Sequence, residues 1–324
     1  MINSVRNTVL SVLNKNNYGY ISPSDFNLFA QQAQMELYEE YFSNYNKAIN
    51  FENQRQSGTD YADLVKPLAE VLENFLVLDF LRPIFTGTGP FTNQFEMPSV
   101  TSTGNDAYMV SRVVYYNQRR SSGTNTSPST TELIDTNANF ILDGVQVGDI
   151  VVNTTAYSYS TVLYVVSNNE LIIAESIFDS SSDLGYSVFS SSNVSEPEKV
   201  TDGKIAMLNV SSLTAPSTMF PAYTLNGVRL TTYPSLLTGY GAVRMSYFRY
   251  PKPPKWTYIS LSGGEPAFDQ SQSDYQDFEL PNEDEYKLAM KILQYCGISI
   301  REQQVVQYAM AQEQHEQPTF SQQQ

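Results

Sequence analysis

Cysteine and histidine are nearly missing from this sequence, which has one of each. Cys296 alone allows no disulfide within the chain and no cysteine-based zinc site. His315 lies in a Gln-rich C-terminal stretch, so the part expected to fold has no histidine to serve as a general base near neutral pH. Ser-His and Cys-His nucleophilic mechanisms are thereby excluded together. Basic residues are also scarce: 19 Lys and Arg stand against 34 Asp and Glu, for a net charge of −15. Such a chain repels phosphate and is not expected to hold DNA tightly, although an acidic wall lets DNA slide past with little friction. No run approaches the ~20 apolar residues that a membrane span needs. Residues 1–6 lack the basic flank and apolar run of a secretory signal. The expectation is a protein made and kept in a cytoplasm unless it leaves inside a particle, with no membrane partner, cofactor, metal or enzymatic activity.

What is present is material for a core and for contacts. The 324 residues suffice for about two domains at ~150 residues each. At 41% hydrophobic and 13% aromatic, the chain can bury a real core. Helical spacing of Val5, Val9, Val12 and Leu13 predicts a helix over 2–15. Ser22-Pro23-Ser24-Asp25 supplies an N-cap, a proline at N1 and a carboxylate at N3 for the next helix, 24–46. A third is expected over 61–76, with Pro67 either kinking it or marking its true start. Beyond Pro83 the texture turns to Thr, Ser, Gly, Tyr and Val, which favours strands and turns, as in Ala107 to Tyr116.

Residues 121–130 read as a Ser/Thr/Gly/Pro linker. After it a compact β segment is expected, with strand pieces at Phe140-Ile141-Leu142, 147–152, 162–166 and 171–174 and a hairpin turn at Asn168-Asn169. Ser-rich stretches at 180–182 and 190–192 close it, which suggests an inserted small domain over 124–192. Strands resume at 228–233 and 243–250, the latter stopped by Pro251. Helices follow over 283–296, with Gly297 as C′ residue, and over 300–311, before a flexible tail at 312–324. The fold class is α+β: a helical bundle formed by the N- and C-terminal helices, a central β-sandwich-like region (90–118 and 225–256), and a small inserted β-barrel-like module. Residues 1–120 and 193–324 would form the main body.

Candidate chemistry is sparse. Glu39-Glu40, Asp183 with Glu196 and Glu198, and Glu283-Asp284-Glu285 are carboxylate groupings of the type a glycosidase pairs. Each is better explained as a solvated helix face or a helix first turn. Thr86-Gly87-Thr88-Gly89-Pro90 lacks the Lys-Ser/Thr ending of a phosphate-binding loop and reads as a turn. Basic and aromatic residues concentrate from Arg112 to Arg120 and from Arg244 to Trp256. They suit a nucleic-acid platform, but in so acidic a chain a protein–protein interface is the preferred reading. The candidate interface residues are Arg244, Tyr247, Arg249, Tyr250, Trp256 and Arg301.

The stretch from Asn17-Tyr18-Gly19-Tyr20 through Ser22-Pro23-Ser24-Asp25-Phe26 to Ala30-Gln31-Gln32-Ala33-Gln34 resembles the opening of structural proteins in crAss-like and related phages of Bacteroidetes. So do Tyr247 to Trp256, Asp277 to Pro281 and Ile292 to Glu302, while 133–151 is similar to a small β module repeated across phage virion proteins. The resemblance implies a head-to-tail connector or adaptor ring of a podovirus, with itself as partner in a closed, typically twelve-fold, ring. The portal protein and adjacent tail or ring proteins would be further partners, and genomic DNA would pass through transiently. The site would be the virion, assembled in the bacterial cytoplasm. The tail 312–324 would order on docking. Other expectations carried alongside are a distal tail or collar ring, and a module binding host glycan through Tyr157, Tyr159, Tyr164 and Tyr186. A hydrolase is the weakest of them.

Overall fold

The computed structural model describes residues 1–15, 21–54, 65–84, 93–126, 131–178, 184–235 and 238–299. The expected helix 300–311, the tail, the turn at 86–90, Arg301 and His315 lie outside them. In chain order, the elements open with helices α1 (Ile2–Lys15), α2 (Pro23–Gln54) and α3 (Val65–Glu73), then strands β1 (Leu76–Phe80) and β2 (Gln94–Glu96). Helix α4 (Val100–Thr103) and strands β3 (Ala107–Tyr116), β4 (Arg119–Thr124) and β5 (Glu132–Ile134) follow. Then come β6 (Ile150–Asn153), β7 (Ser158–Ser167), β8 (Glu170–Ile173), β9 (Gly185–Phe189), β10 (Val194–Ser195) and β11 (Glu198–Lys199). The chain continues with α5 (Asp202–Leu208), β12 (Ala222–Asn226), β13 (Arg229–Tyr233), β14 (Val243–Arg249), β15 (Tyr258–Ser260), β16 (Pro266–Phe268) and α6 (Glu285–Ser299). The fold is therefore mixed α+β, and no helix among the described residues is long and apolar enough to cross a membrane.

The chain divides into two compact units, 1–75 with 251–324, and 76–250. The strands expected to belong with the terminal helices thus fall in the second unit, together with the inserted segment.

In the first unit, α1 and α2 both lie against α6. Val5, Val9 and Leu13 of α1, Phe26, Ala30, Ala33 and Leu37 of α2, and Leu288, Ile292 and Leu293 of α6 are buried, as their helical spacing requires. The cap of α2 is as the sequence implies: Asp25 N donates to Ser22 Oγ at 3.1 Å, and Ser22 Oγ donates to Asp25 Oδ2 at 2.7 Å. Helix α3 is described over Val65–Glu73 and includes Pro67, while 61–64 of the expected helix lie outside the described residues. Gly297 does not end α6, which runs on to Ser299. Asp277 holds this unit's first turn: its carboxylate accepts from the Met1 ammonium at 2.9 Å, from Ile2 N at 2.7 Å and from Phe278 N at 2.8 Å. Burial pushes its pKa up, but these bonds outweigh burial and hold it below the usual carboxylate value. The contact therefore stabilises the fold at neutral pH and is lost as the pH falls through that lowered value.

In the second unit, one four-stranded sheet runs in the order β1-β14-β3-β10 and another β11-β12-β13-β2. A six-stranded antiparallel sheet, β4-β9-β6-β7-β8-β5, curls into a half-barrel. Its two edge strands meet at one end, where Thr126 N donates to Ile134 O at 2.7 Å and Ile134 N to Asn125 Oδ1 at 3.3 Å. Its interior is filled by Leu133, Phe140, Val151, Val162, Leu171, Ile173, Phe178 and Val188.

Several sequence expectations change here. Phe140-Ile141-Leu142 is a turn, with Phe140 tucked into the core and Leu142 exposed. Asn168-Asn169 is the β7–β8 turn. Residues 121–124, read as linker, are the body of β4, which pairs with β9 from Arg119 to Thr124. The apolar alternation is missing because the buried Tyr186–Asp135 hydrogen bond (2.7 Å) lies against Gly123, where a side chain has no room. Ser190 is buried too. Its Oγ accepts from Arg120 Nη2 at 3.0 Å, beside the Arg120 Nε–Asp149 Oδ2 ion pair at 2.9 Å, and its N donates to Gln118 O. The described parts of the expected linkers, 121–126 and 190–192, are thus hydrogen-bonded parts of the unit, while 127–130 and 180–182 lie outside the described residues.

The curled sheet and the first four-stranded sheet share a second core. Ile150, Val152 and Phe189 pack there with Phe80, Tyr115, Tyr116, Tyr240, Val243, Met245 and Tyr247. Gly241 marks the tightest approach: its φ is +94°, and a Cβ there would meet Phe189 at 2.5 Å and both Val152 methyls at 2.9 Å. Gly241→Ala is expected to cost on the order of 2–4 kcal/mol through strain and overpacking. Thermal unfolding should show a fall of roughly 10 °C in Tm, and an unchanged Tm would contradict the shared core.

Candidate functional site

Among the described interface candidates, Tyr247 and Trp256 lie in the interior of their units. Strand β14 alternates as its sequence does: Val243, Met245 and Tyr247 are all fully buried, so Tyr247 belongs to the core and not to an outer face. Trp256 is likewise interior, 2% exposed in the first unit. Its indole Nε1 donates to Asn3 Oδ1 at 3.1 Å, its backbone N to Asn27 Oδ1 at 2.8 Å, and its O accepts from Asn27 Nδ2 at 3.2 Å. Arg6 lies over the indole at 3.8 Å, and Tyr258 and Phe268 of the β15–β16 hairpin stack against it at 5.6 and 5.9 Å. Both rings are used up in packing within the chain, which is the physical reason neither can anchor a partner. Arg249 donates to Tyr250 O at 3.2 Å, and the exposed Tyr250 ring meets Tyr108 edge-on at 5.1 Å. Arg244 is half-buried over the rings of Phe80 (5.4 Å) and Tyr159 (5.6 Å).

Around Arg244 the second unit assembles a cluster that sequence reading did not find. Its centre is a turn built by buried Asn153. Its Oδ1 accepts from Thr155 N at 2.9 Å and Ala156 N at 3.0 Å, and its Nδ2 donates to Ile177 O at 2.7 Å. The turn ends at Tyr157 with φ +56°, the one left-handed non-glycine among the described residues. Such a backbone persists only where its surroundings over-determine it. Here Tyr240 Oη donates to Tyr157 O at 2.7 Å, the two rings meet edge-on at 5.1 Å, and Arg82 lies 5.0 Å from the Tyr157 ring.

Phe80 packs against Tyr159, Tyr116 and Tyr240 at 5.0, 5.5 and 6.1 Å. Burial raises the pKa of Asp79 in this cluster despite the hydrogen bond from Phe80 N and the charges of Arg82 and Arg244. Clefts of about 340 Å³ and 480 Å³ open on either side of Tyr157. The first is lined by Tyr159, Ser160 and Glu175, the second by Arg82, Glu96 and Arg229. Among the described residues each cleft is lined by one carboxylate, Glu175 or Glu96, and the combination of rings and guanidinium groups suits binding. No sequence signal marked Arg82, Asn153 or Tyr240, because they converge from segments far apart in the chain.

The carboxylate groupings singled out in the sequence are largely occupied by cations. Glu196 pairs with Arg112 at 3.0 Å and Glu198 with Lys204 at 2.7 Å. Lys291, itself buried, reaches Glu36 at 3.4 Å and Glu40 at 3.8 Å. Buried Asp284 accepts from Tyr41 Oη at 2.5 Å and pairs with Lys287 at 3.3 Å. Asp183 lies outside the described residues. Of the tyrosines considered as sugar platforms, Tyr186 is buried and bonded to Asp135, whereas Tyr164 is exposed. Burial pushes the Cys296 thiol up to about 12, so it is not a thiolate at neutral pH. Among the described residues no group of three or more His, Cys, Asp or Glu could hold a metal ion.

No protein-family model matches the chain, and no curated protein is similar to it.

Trp256→Ala is expected to remove about 3–5 kcal/mol of stability from the first unit. Denaturant unfolding followed by hydrogen exchange should place the loss in residues 1–75 and 251–299 and leave 76–250 protected. A stable variant would contradict the interior role assigned to the indole.

Proposed function

We propose that the chain is a structural virion protein, a subunit of a ring in the head-to-tail connector of a crAss-like podovirus. The observation that carries this reading is the large apolar surface of the second unit. Leu142, Val210, Leu213 and Phe220 are 83%, 86%, 92% and 79% exposed. Val210, Leu213 and Phe220 fall within one short segment, and apolar side chains gathered at a surface mark protein–protein contact in a molecule that must otherwise stay dispersed.

The charge of −15 supports the rest of the assignment, because a ring lined by acidic subunits repels DNA and lets it slide. In this reading α1, α2 and α6 form the helical bundle that meets neighbouring subunits. The chain closes a ring with itself, typically twelve-fold, and binds the portal and the adjacent tail or ring protein. A second reading is a distal tail or collar component that binds host glycan. The Tyr157 clefts favour it, since an aromatic platform beside Arg and Glu suits a sugar ring.

The test is the mass of the purified chain by native mass spectrometry, alone and mixed with the portal of the same phage. A closed ring, or a portal complex at matched stoichiometry, is the expected result. A chain that stays monomeric and ignores the portal contradicts the connector and turns attention to glycan binding at Tyr157.

A further inference from the structure

Charge is unevenly spread along this acidic chain. The two longest stretches without a charged side chain are 205–228 and 150–169, and both belong to the second unit. Each presents apolar side chains to solvent. In the first, Met207, Val210, Leu213, Met219, Phe220 and Val228 are between 72% and 92% exposed. In the second, Leu163, Tyr164 and Val166 of β7 are between 43% and 64% exposed.

The segment joining α5 to β12 is nevertheless internally tied. Thr214 Oγ1 donates to Leu208 O at 2.9 Å, Ala215 N to Ser211 O at 2.9 Å, and Ser217 N to Phe220 O at 3.2 Å. Local bonds tie its backbone, and the unit's cores take Ile205, Leu208, Ala222, Tyr223 and Leu225 from 205–228 but none of the six exposed side chains. This is a formed segment whose exposed side chains join neither core of its own unit among the described residues.

We propose that the segment joining α5 to β12, with the exposed side chains that flank it within 205–228, is an arm that seats on the outer face of β7 in a second copy of this chain, and so deepens the subunit role proposed above, on which it rests. Like-charged copies repel wherever their charged faces meet, so the surfaces through which they can touch most cheaply are the uncharged ones. The arm and β7 carry no charged side chain of their own, and they are unlike each other. A contact between unlike faces is heterologous, and repeating it builds a ring or an open filament instead of stopping at a dimer. At roughly 100 Å² for each of the six side chains, the arm offers on the order of 600 Å², most of the ~800 Å² that each partner contributes to a standard interface.

The experiment uses two full-length variants: Leu213→Asp with Phe220→Asp, which disables the arm, and Tyr164→Asp with Val166→Asp, which disables the seat. All four side chains are exposed, so both variants should unfold within about 2 °C of the parent. Native mass spectrometry across the micromolar range should show the parent assembling and each variant monomeric. An equimolar mixture of the two should stop at a dimer, because one intact arm and one intact seat remain between them. Variants that assemble like the parent overturn the proposed contact while leaving the subunit role standing. A parent that forms no oligomer alone overturns the proposed contact as well, and if it also ignores the portal the subunit role falls with it.

Discussion

The second unit depends on the packing of aromatic rings around Phe80. Phe80 comes from β1, Tyr116 from β3, Tyr159 from β7 and Tyr240 from the segment before β14, and their centroids lie 5.0 to 6.1 Å from that of Phe80. Edge-to-face pairs of this kind add to the stabilisation that burial alone provides. The curled sheet has its own interior, yet Ile150, Val152 and Phe189 leave it to join this second core. The Tyr157 turn, the two clefts and the placement of Arg82 and Arg244 all follow from that junction.

Much of the local structure was legible in the sequence, and the reason differs by element. The cap of α2 was readable because Ser22, Pro23 and Asp25 act within one turn of each other. Strand β14 was readable because alternate residues are buried, and β3 and β13 because they are rich in Val, Thr and Tyr. Strand β4 was not, because its place beside the Tyr186–Asp135 bond demands Gly123 and small polar neighbours, which is a linker's composition. Strand β1 was missed for another reason: it follows α3 after a short turn, and its Leu76 and Leu78 stand half exposed with only Phe80 buried, so no apolar alternation marked it.

The interface candidates fared differently from the elements. Counting Arg and aromatic residues finds places rich in both, but it cannot tell a ring that stacks on its own chain from one offered to a partner. Trp256 and Tyr247 are the first kind. The proposed contact between copies rests on a different signal, the absence of charge over 150–169 and 205–228. That signal needs the exposures of Leu213, Phe220 and Tyr164 to become meaningful, and sequence does not provide them.

The central structural claim is that residues 76–250 behave as one cooperative body, with the curled sheet fastened to the rest by the core around Phe80. Native-state hydrogen exchange tests it most directly, because sub-global openings reveal cooperative units. The account predicts that the amides of Val151 and Val188 in the curled sheet exchange with the same free energy and denaturant dependence as those of Val113 and Met245 in the neighbouring sheet. A curled sheet that opens by itself, at lower free energy and with the neighbouring sheet still protected, would contradict it.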